Sequence, residues 1–194
     1  MISKIAICNL ALAHLGQPPI SSLEQKDEKA RRLLLFYEPV RDEVLRTHNW
    51  AFAGAEEPLA LLEKGPETAE YTYKYPGEAL FVRRVYVPAA PHKALPFREV
   101  FRPDLHCRVL CVPAARAYVQ YTRRLPDETQ FDPAFVKAFS LALAADLALP
   151  LTGDNTLAAQ LLKKYAAALD EARLCNMTEN FLRAPQTDAF SEVR

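Results

Sequence analysis

Residues 132–150 read DPAFVKAFSLALAADLALP. Asp132 is a good N-cap, and Pro133 suits the first helical turn, where its missing N–H would have no partner anyway. Phe135, Val136, Phe139, Leu141, Leu143, Leu147 and Leu149 then fall on every side of the cylinder, so this helix has no wet face and belongs at the centre of a core. A membrane span needs about 20 mostly apolar residues, whereas Lys137, Ser140, Asp146 and Pro150 interrupt the run from Ala134 to Leu151. The stretch reads as a buried helix through Leu149, stopped by Pro150 and Gly153.

A helix that is apolar all round needs neighbours, and three amphipathic stretches supply them. Ser3 caps Ile5, Cys8, Leu12 and Leu15, ending at Gly16 with Pro18 and Pro19 beyond. From Asp27 to His48, Ala30, Leu33, Tyr37, Val40 and Val44 recur three and four residues apart, the stripe of a second helix, which Pro39 should kink. Asp154 or Asn155 caps a further helix whose Leu157, Leu161, Tyr165, Ala168, Ala172 and Cys175 share one face.

Between these helices the period changes to two. Tyr71, Tyr73 and Tyr75 alternate with Thr72 and Lys74, and residues 81–87 are rich in β-branched and aromatic types. Residues 108–112 and 117–122 are separated by only four residues, a spacing that suits an antiparallel hairpin. The expected fold class is therefore α+β, mainly α: a four-helix unit with an inserted small antiparallel β-subdomain. Residues 1–69 and 126–183 form the helical bundle, residues 70–125 the insert, and residues 184–194 a polar, flexible C-terminal tail. Trp50 and Phe52, directly after the second helix, are expected to anchor its end in the helical core, since large aromatics are costly to leave wet.

The chain has 194 residues, 50% hydrophobic and 25% charged, with 24 Lys and Arg against 24 Asp and Glu. That length suits one domain, and the balance leaves no global positive field to hold a polyanion. Met1-Ile2-Ser3-Lys4-Ile5 lacks the basic start and apolar core of a secretory signal, so a cytoplasmic location is expected. The four cysteines, Cys8, Cys107, Cys111 and Cys175, are too sparse for a disulfide framework and read as reduced thiols.

Catalytic and cofactor signatures fail one by one. The five glycines are never closely spaced, which excludes the loops that cradle phosphates on backbone N–H groups. Gly-x-Ser-x-Gly, His-Glu-x-x-His and the calcium loop are missing from the sequence. His106, Cys107 and Cys111 approach a metal cluster, but on a strand His106 points away from the two cysteines, which read as small core thiols. His48 ends a helix, where a histidine commonly meets the C-terminal carbonyls. Arg83-Arg84 and Arg123-Arg124 with nearby tyrosines hint at a nucleic-acid surface, yet the tyrosine alternation reads more simply as one half-buried sheet face. No catalytic, cofactor or metal site is assigned.

One constellation remains. Ala13-His14-Leu15-Gly16, Ile20-Ser21-Ser22-Leu23, Ala30, Tyr37, Val40-Arg41-Asp42-Glu43-Val44-Leu45-Arg46 and His48-Asn49-Trp50-Ala51-Phe52-Ala53 occur in that order. Tyr75-Pro76-Gly77-Glu78-Ala79-Leu80, Tyr118-Val119-Gln120-Tyr121, Asp132-Pro133-Ala134-Phe135, Leu143-Ala144-Ala145-Asp146-Leu147-Ala148 and Leu151-Thr152-Gly153 follow. The series resembles the head-to-tail adaptor proteins of short-tailed bacteriophages, the tail tubular protein A group. It covers most of the chain and is weakest between Val87 and Leu105. Family sequences often carry Pro where this chain has Asn49 and Asn where it has Ala51.

The resemblance implies a non-enzymatic virion protein. It would form a ring, typically twelvefold, that docks under the portal protein, meets the tail tube or nozzle protein, and extends the DNA channel. Double-stranded DNA would pass through without specific binding, no membrane would be involved, and the protein would sit at the virion neck after a spell in the host cytoplasm. Asp188, Phe190, Glu192 and Arg194 are the candidate portal-binding residues of the tail. A helical regulator or an enzyme without a known motif remains the competing expectation.

Overall fold

The computed structural model describes residues 2–64 and 70–179. Four helices occur among them: α1 (Lys4–His14), α2 (Glu28–Arg46), α3 (Pro133–Thr152) and α4 (Asn155–Glu179). Each starts on a side-chain cap that satisfies first-turn N–H groups. Ser3 Oγ accepts from Ala6 N at 3.2 Å, and Asp27 Oδ1 from Ala30 N at 2.7 Å. Asp132 Oδ1 takes Ala134 N at 2.7 Å, and Asp154 Oδ1 takes Thr156 N at 2.8 Å.

α2 remains one helix through Pro39. α3 runs three residues past its expected end, with Pro150 inside its last turn. There Thr152 Oγ1 donates to the Ala148 carbonyl at 2.7 Å, and the chain leaves the helix at Gly153, whose φ of 70° is the left-handed conformation that suits glycine. By length and composition α3 could cross a membrane, but 67% of its apolar window is buried within the protein. Phe135, Phe139, Leu143 and Leu147 are fully buried among side chains of α1, α2 and α4. α3 is therefore the core around which the other three helices pack.

The expected small β-insert is wrong. Eight strands form two four-stranded antiparallel sheets, and strand accounts for about 26% of the described residues against 47% helix. They are β1 (Gly54–Pro58), β2 (Leu61–Lys64), β3 (Tyr71–Lys74), β4 (Ala79–Val87), β5 (Ala90–Leu95), β6 (Arg98–Arg102), β7 (Cys107–Val112) and β8 (Tyr118–Arg123). One sheet has the order β1-β8-β4-β5 and the other β2-β3-β7-β6. The strands begin at Gly54, so, among the described residues, 54–64 of the expected bundle segment are mostly strand.

The physical reason lies in the edges. The four strands legible in the sequence, β3 by alternation, β4 by composition and β7 and β8 by their short connection, are the interior strands of the two sheets. β1, β2, β5 and β6 are the edges and mostly exposed, so no apolar alternation marks them; Gly-Ala-Glu-Glu-Pro of β1 has no β-branched residue at all. Backbone pairing makes them strands, as between Ala55 and Tyr121 or Val100 and Val109.

The expected hairpin across Pro113–Arg116 is also overturned: β7 belongs to one sheet and β8 to the other. Those four residues instead carry the chain across the gap between two sheets stacked face to face, a separation of about 10 Å. Tyr73, Tyr75, Leu110 and Val112 from one sheet meet Val82, Val85, Val119 and Tyr121 from the other in a second core, separate from the helical one.

Candidate functional site

The joint between the two cores is the most elaborately built polar region of the described structure. Trp50 is 1% exposed and its ring lies 5.2 Å from that of Phe135 on α3. The partly buried Phe52 stacks on Trp50 at 5.9 Å and meets Phe135 at 5.1 Å. These two aromatics pin the end of α2 and the short 3-10 turn Ala51–Ala53 to the helical core, so β1 leaves from a fixed point.

The last carbonyls of α2 have no partner within the helix and are claimed from three directions. Trp50 Nε1 donates to Val44 O at 3.2 Å. An Arg83 terminal nitrogen on β4 donates to Arg46 O at 3.0 Å and to His48 O at 2.5 Å, while its Nε donates to Thr122 Oγ1 at 2.8 Å. Arg173 on α4 donates to Thr47 O at 3.3 Å. Two guanidinium groups thus complement the negative end of the helix.

His48 does not take this role. Its Nε2 lies 3.0 Å from Nδ2 of Asn176, which also donates to Asn49 O at 3.1 Å, while Asn176 Oδ1 accepts from Ala51 N at 2.9 Å. Burial first, then Arg173 and Arg83, lower the His48 pKa from its ordinary 6.5.

A second polar tie fastens α2 to the end of β8. Arg41 is 4% exposed and donates through Nε and a terminal nitrogen to Asp42 Oδ1 at 3.0 and 2.8 Å. Arg124 Nε reaches Asp42 Oδ2 at 2.8 Å. Inside the bundle, the Tyr37 hydroxyl donates to Glu128 at 3.1 Å beside Cys8, whose thiol is pushed up to about 12, chiefly by burial.

The basic pairs are therefore engaged mainly within the chain. Arg83 closes α2, Arg84 lies over the Tyr86 ring at 5.0 Å, Arg123 donates to Gln130 at 2.8 Å, and Arg124 holds Asp42. The alternating tyrosines belong to the sandwich: Tyr73 and Tyr75 are in its core, and Tyr71 packs against it.

Of the clefts that the described residues line along the joint and the sandwich, two are the roomiest. One, about 330 Å³, is lined by Asn49, Trp50, Ala51, Glu56, Gln120 and Tyr121 among others; its carboxylate, Glu56, already accepts from Tyr86 Oη and Gln120. The other, about 310 Å³, lies among Pro58, Leu61, Tyr73, Pro88, Arg116 and Tyr118. Neither lining set pairs a nucleophile with a base. Cys107 and Cys111 are partly buried on β7, and His106 is an exposed turn residue at φ 49°. Among the described residues no group of three His, Cys, Asp or Glu is placed to hold a metal ion.

A small cavity of about 60 Å³ between α2, α3 and α4 is lined by Glu43, Asp146, Tyr165 and Leu162. Burial and then Glu43 raise the Asp146 pKa above its ordinary 3.8. Beyond it the helical surface carries large apolar side chains: Leu34 and Leu35 on α2 are 50% and 69% exposed, and Leu162, Leu174 and Met177 on α4 are 54%, 64% and 60% exposed.

Asp188, Phe190, Glu192 and Arg194 lie outside the described residues. Asn176 carries no signal in the sequence, Arg41 and Asp42 stand there within the resemblance series, and Arg173 reads only as part of the wet or partner-facing side of the last helix. The caps Asp132 and Asp154 are legible because they act on neighbours in the chain. No family model matches the chain, and no curated protein matches it.

Proposed function

We propose that the chain is a non-enzymatic structural subunit of a head-to-tail connector ring in a short-tailed bacteriophage or prophage particle. It docks under the portal protein, extends the DNA channel, and passes the channel on to the tail tube or nozzle protein. The particle neck is its final location and the host cytoplasm its place before assembly. The resemblance carried by residues 13–53, 75–80, 118–121 and 132–153 is the sequence basis of this reading.

The structural observation that supports it most is the apolar surface of α2 and α4. Leucines more than half exposed on two different helices are a liability on a monomer and an asset in an assembly. A ring joins subunits through two unlike patches, and on this reading the exposed leucines of α2 would serve one and those of α4 the other. The balanced charge and the internal use of the paired arginines fit a channel through which DNA slides, since dense free cations would hold phosphates by counterion release.

The test is mass measurement of the purified protein, alone and mixed with a portal protein from the same particle. A closed multimer, or a stoichiometric complex with the portal ring, supports the reading; a monomer that ignores the portal overturns it.

A further inference from the structure

The contacts of Asn176 fix the protonation state of His48. Ala51 N is a donor 2.9 Å from Asn176 Oδ1, so this amide cannot be turned round without setting two donors against each other. Its Nδ2 therefore faces His48 Nε2 at 3.0 Å and Asn49 O at 3.1 Å. A nitrogen facing an amide NH₂ must accept, so His48 is neutral here and carries its proton on Nδ1.

The surroundings press the same way. From α4 His48 faces Arg173 and Asn176, from β4 it faces Arg83, and within its own turn the Trp50 ring lies 5.0 Å away. Asp170 is tied to Arg173 at 3.2 Å, and no carboxylate pairs with His48 among the described residues. An imidazolium would meet two guanidinium groups and an amide NH₂, with no anion to offset them.

We propose that the His48–Asn176 contact is a proton-sensitive tie: neutral His48 adds to the hold of the last turns of α4 on the turn leading into β1, and protonated His48 loosens that hold. The bonds of Asn176 to Asn49 and Ala51 and of Arg173 to Thr47 remain. The sign follows from linkage. A histidine held neutral in the closed state binds fewer protons there than in the open state, so closure strengthens as pH rises and weakens as pH falls below 6.5. Each unit by which closure lowers the pKa is worth about tenfold in the open-to-closed ratio. Loosening is confined to the end of α4, since the Trp50 and Arg83 contacts still hold the end of α2.

The full-length protein tests this by two readouts. Imidazole nitrogen-15 NMR at about pH 7.5 should show His48 with Nε2 unprotonated and, on acidification, a midpoint below the ordinary imidazole value. Asn176→Leu should move that midpoint up. Amide exchange over residues 172–179, corrected for intrinsic rates, should quicken between about pH 7.5 and about pH 5. His48→Gln supplies an amide oxygen that accepts from Asn176 without titrating, and should abolish the change. A proton on Nε2 near pH 7.5, exchange indifferent to pH in the wild type, or the same pH dependence in His48→Gln would each overturn the proposal.

Discussion

The indole nitrogen of Trp50 donates to the carbonyl of Val44, six residues earlier, at 3.2 Å. That bond folds the chain back onto the end of α2 and seats the ring against Phe135 and Phe52. Trp50→Ala removes a fully buried aromatic, while Val44 O keeps the donors of Thr47 N and Oγ1, so the loss is mainly packing and should be roughly 3–5 kcal/mol. Trp50→Phe keeps most of the packing and loses the hydrogen bond, which contributes about 1 kcal/mol. Urea unfolding of both variants should rank them in that order; equal losses would mean that packing matters little at this site.

Asp42 binds two arginines of very different exposure, Arg41 at 4% and Arg124 at 61%. Asp42→Ala leaves Arg41 as a buried charge without its anion, a change worth roughly 3–5 kcal/mol. Arg124→Ala removes a largely solvated partner and should cost under about 1 kcal/mol. Arg41→Met, of similar volume, should fall well below Asp42→Ala. Thermal melts of the three variants check the asymmetry, and an Arg124 loss as large as that of Asp42 would refute it.

The four thiols should separate by reactivity. Cys8 is fully buried and its thiol is pushed up to about 12, while Cys107, Cys111 and Cys175 are partly exposed. Since the thiolate is the nucleophile, alkylation of the folded protein near neutral pH should spare Cys8 and reach it only after denaturation. Peptide mass mapping reads this directly.

How much could be seen in advance depended on how local each cause was. Asp132 and Gly153 act on residues within a few positions, so the bounds of α3 were legible but for the last turn, where Thr152 and Gly153 carry the helix past Pro150. β8 puts Val119 and Tyr121 two apart into the core, and β4 announced itself by its β-branched and aromatic content, its Val82 and Val85 both reaching the core across a register shift between Val82 and Arg84. β1, β5 and β6 bury little and owe their form to a neighbour's backbone, which leaves almost no mark on composition. Counting only the legible strands made the sheet look small. At the joint, Asn176 meets Ala51 across 125 residues of chain, a distance over which no short spacing rule applies.

Asp146 carries a built-in pH effect. Its inner side lines the small cavity, so partial burial and then Glu43 favour its protonated form and raise its folded-state pKa. Both carboxylates remain largely open to water, which screens the effect and keeps it small. For an acid shifted up, the favourable contribution is full below the unfolded value of 3.8 and is lost as pH rises through the folded value. At neutral pH the ionised side chain therefore works against folding. Asp146→Asn should raise the melting temperature near pH 7 and lose that advantage in acid. With Glu43→Gln the gains should not add, because either substitution removes the same repulsion; a double-mutant cycle measures the shared part.

The assembly reading makes its sharpest prediction at the exposed leucines. Leu35 is 69% exposed and Leu162 54% exposed, and they lie on different helices. If they belong to the two unlike patches of a ring contact, Leu35→Glu and Leu162→Glu should each block self-association or docking to the portal. Neither should lower the melting temperature of the isolated chain by more than a degree or two, since substitutions at exposed positions usually stay within about 0.5 kcal/mol. Head-to-tail geometry adds a further requirement. A subunit carrying Leu35→Glu keeps its other patch intact, so mixing it with one carrying Leu162→Glu should restore a single contact per pair. The mixture should yield dimers and no rings. Native mass spectra of each variant and of the mixture distinguish the cases. Assembly unchanged by both substitutions would remove these faces from the contact. A mixture that stays monomeric while each variant remains folded would show that the two leucines do not sit on complementary patches.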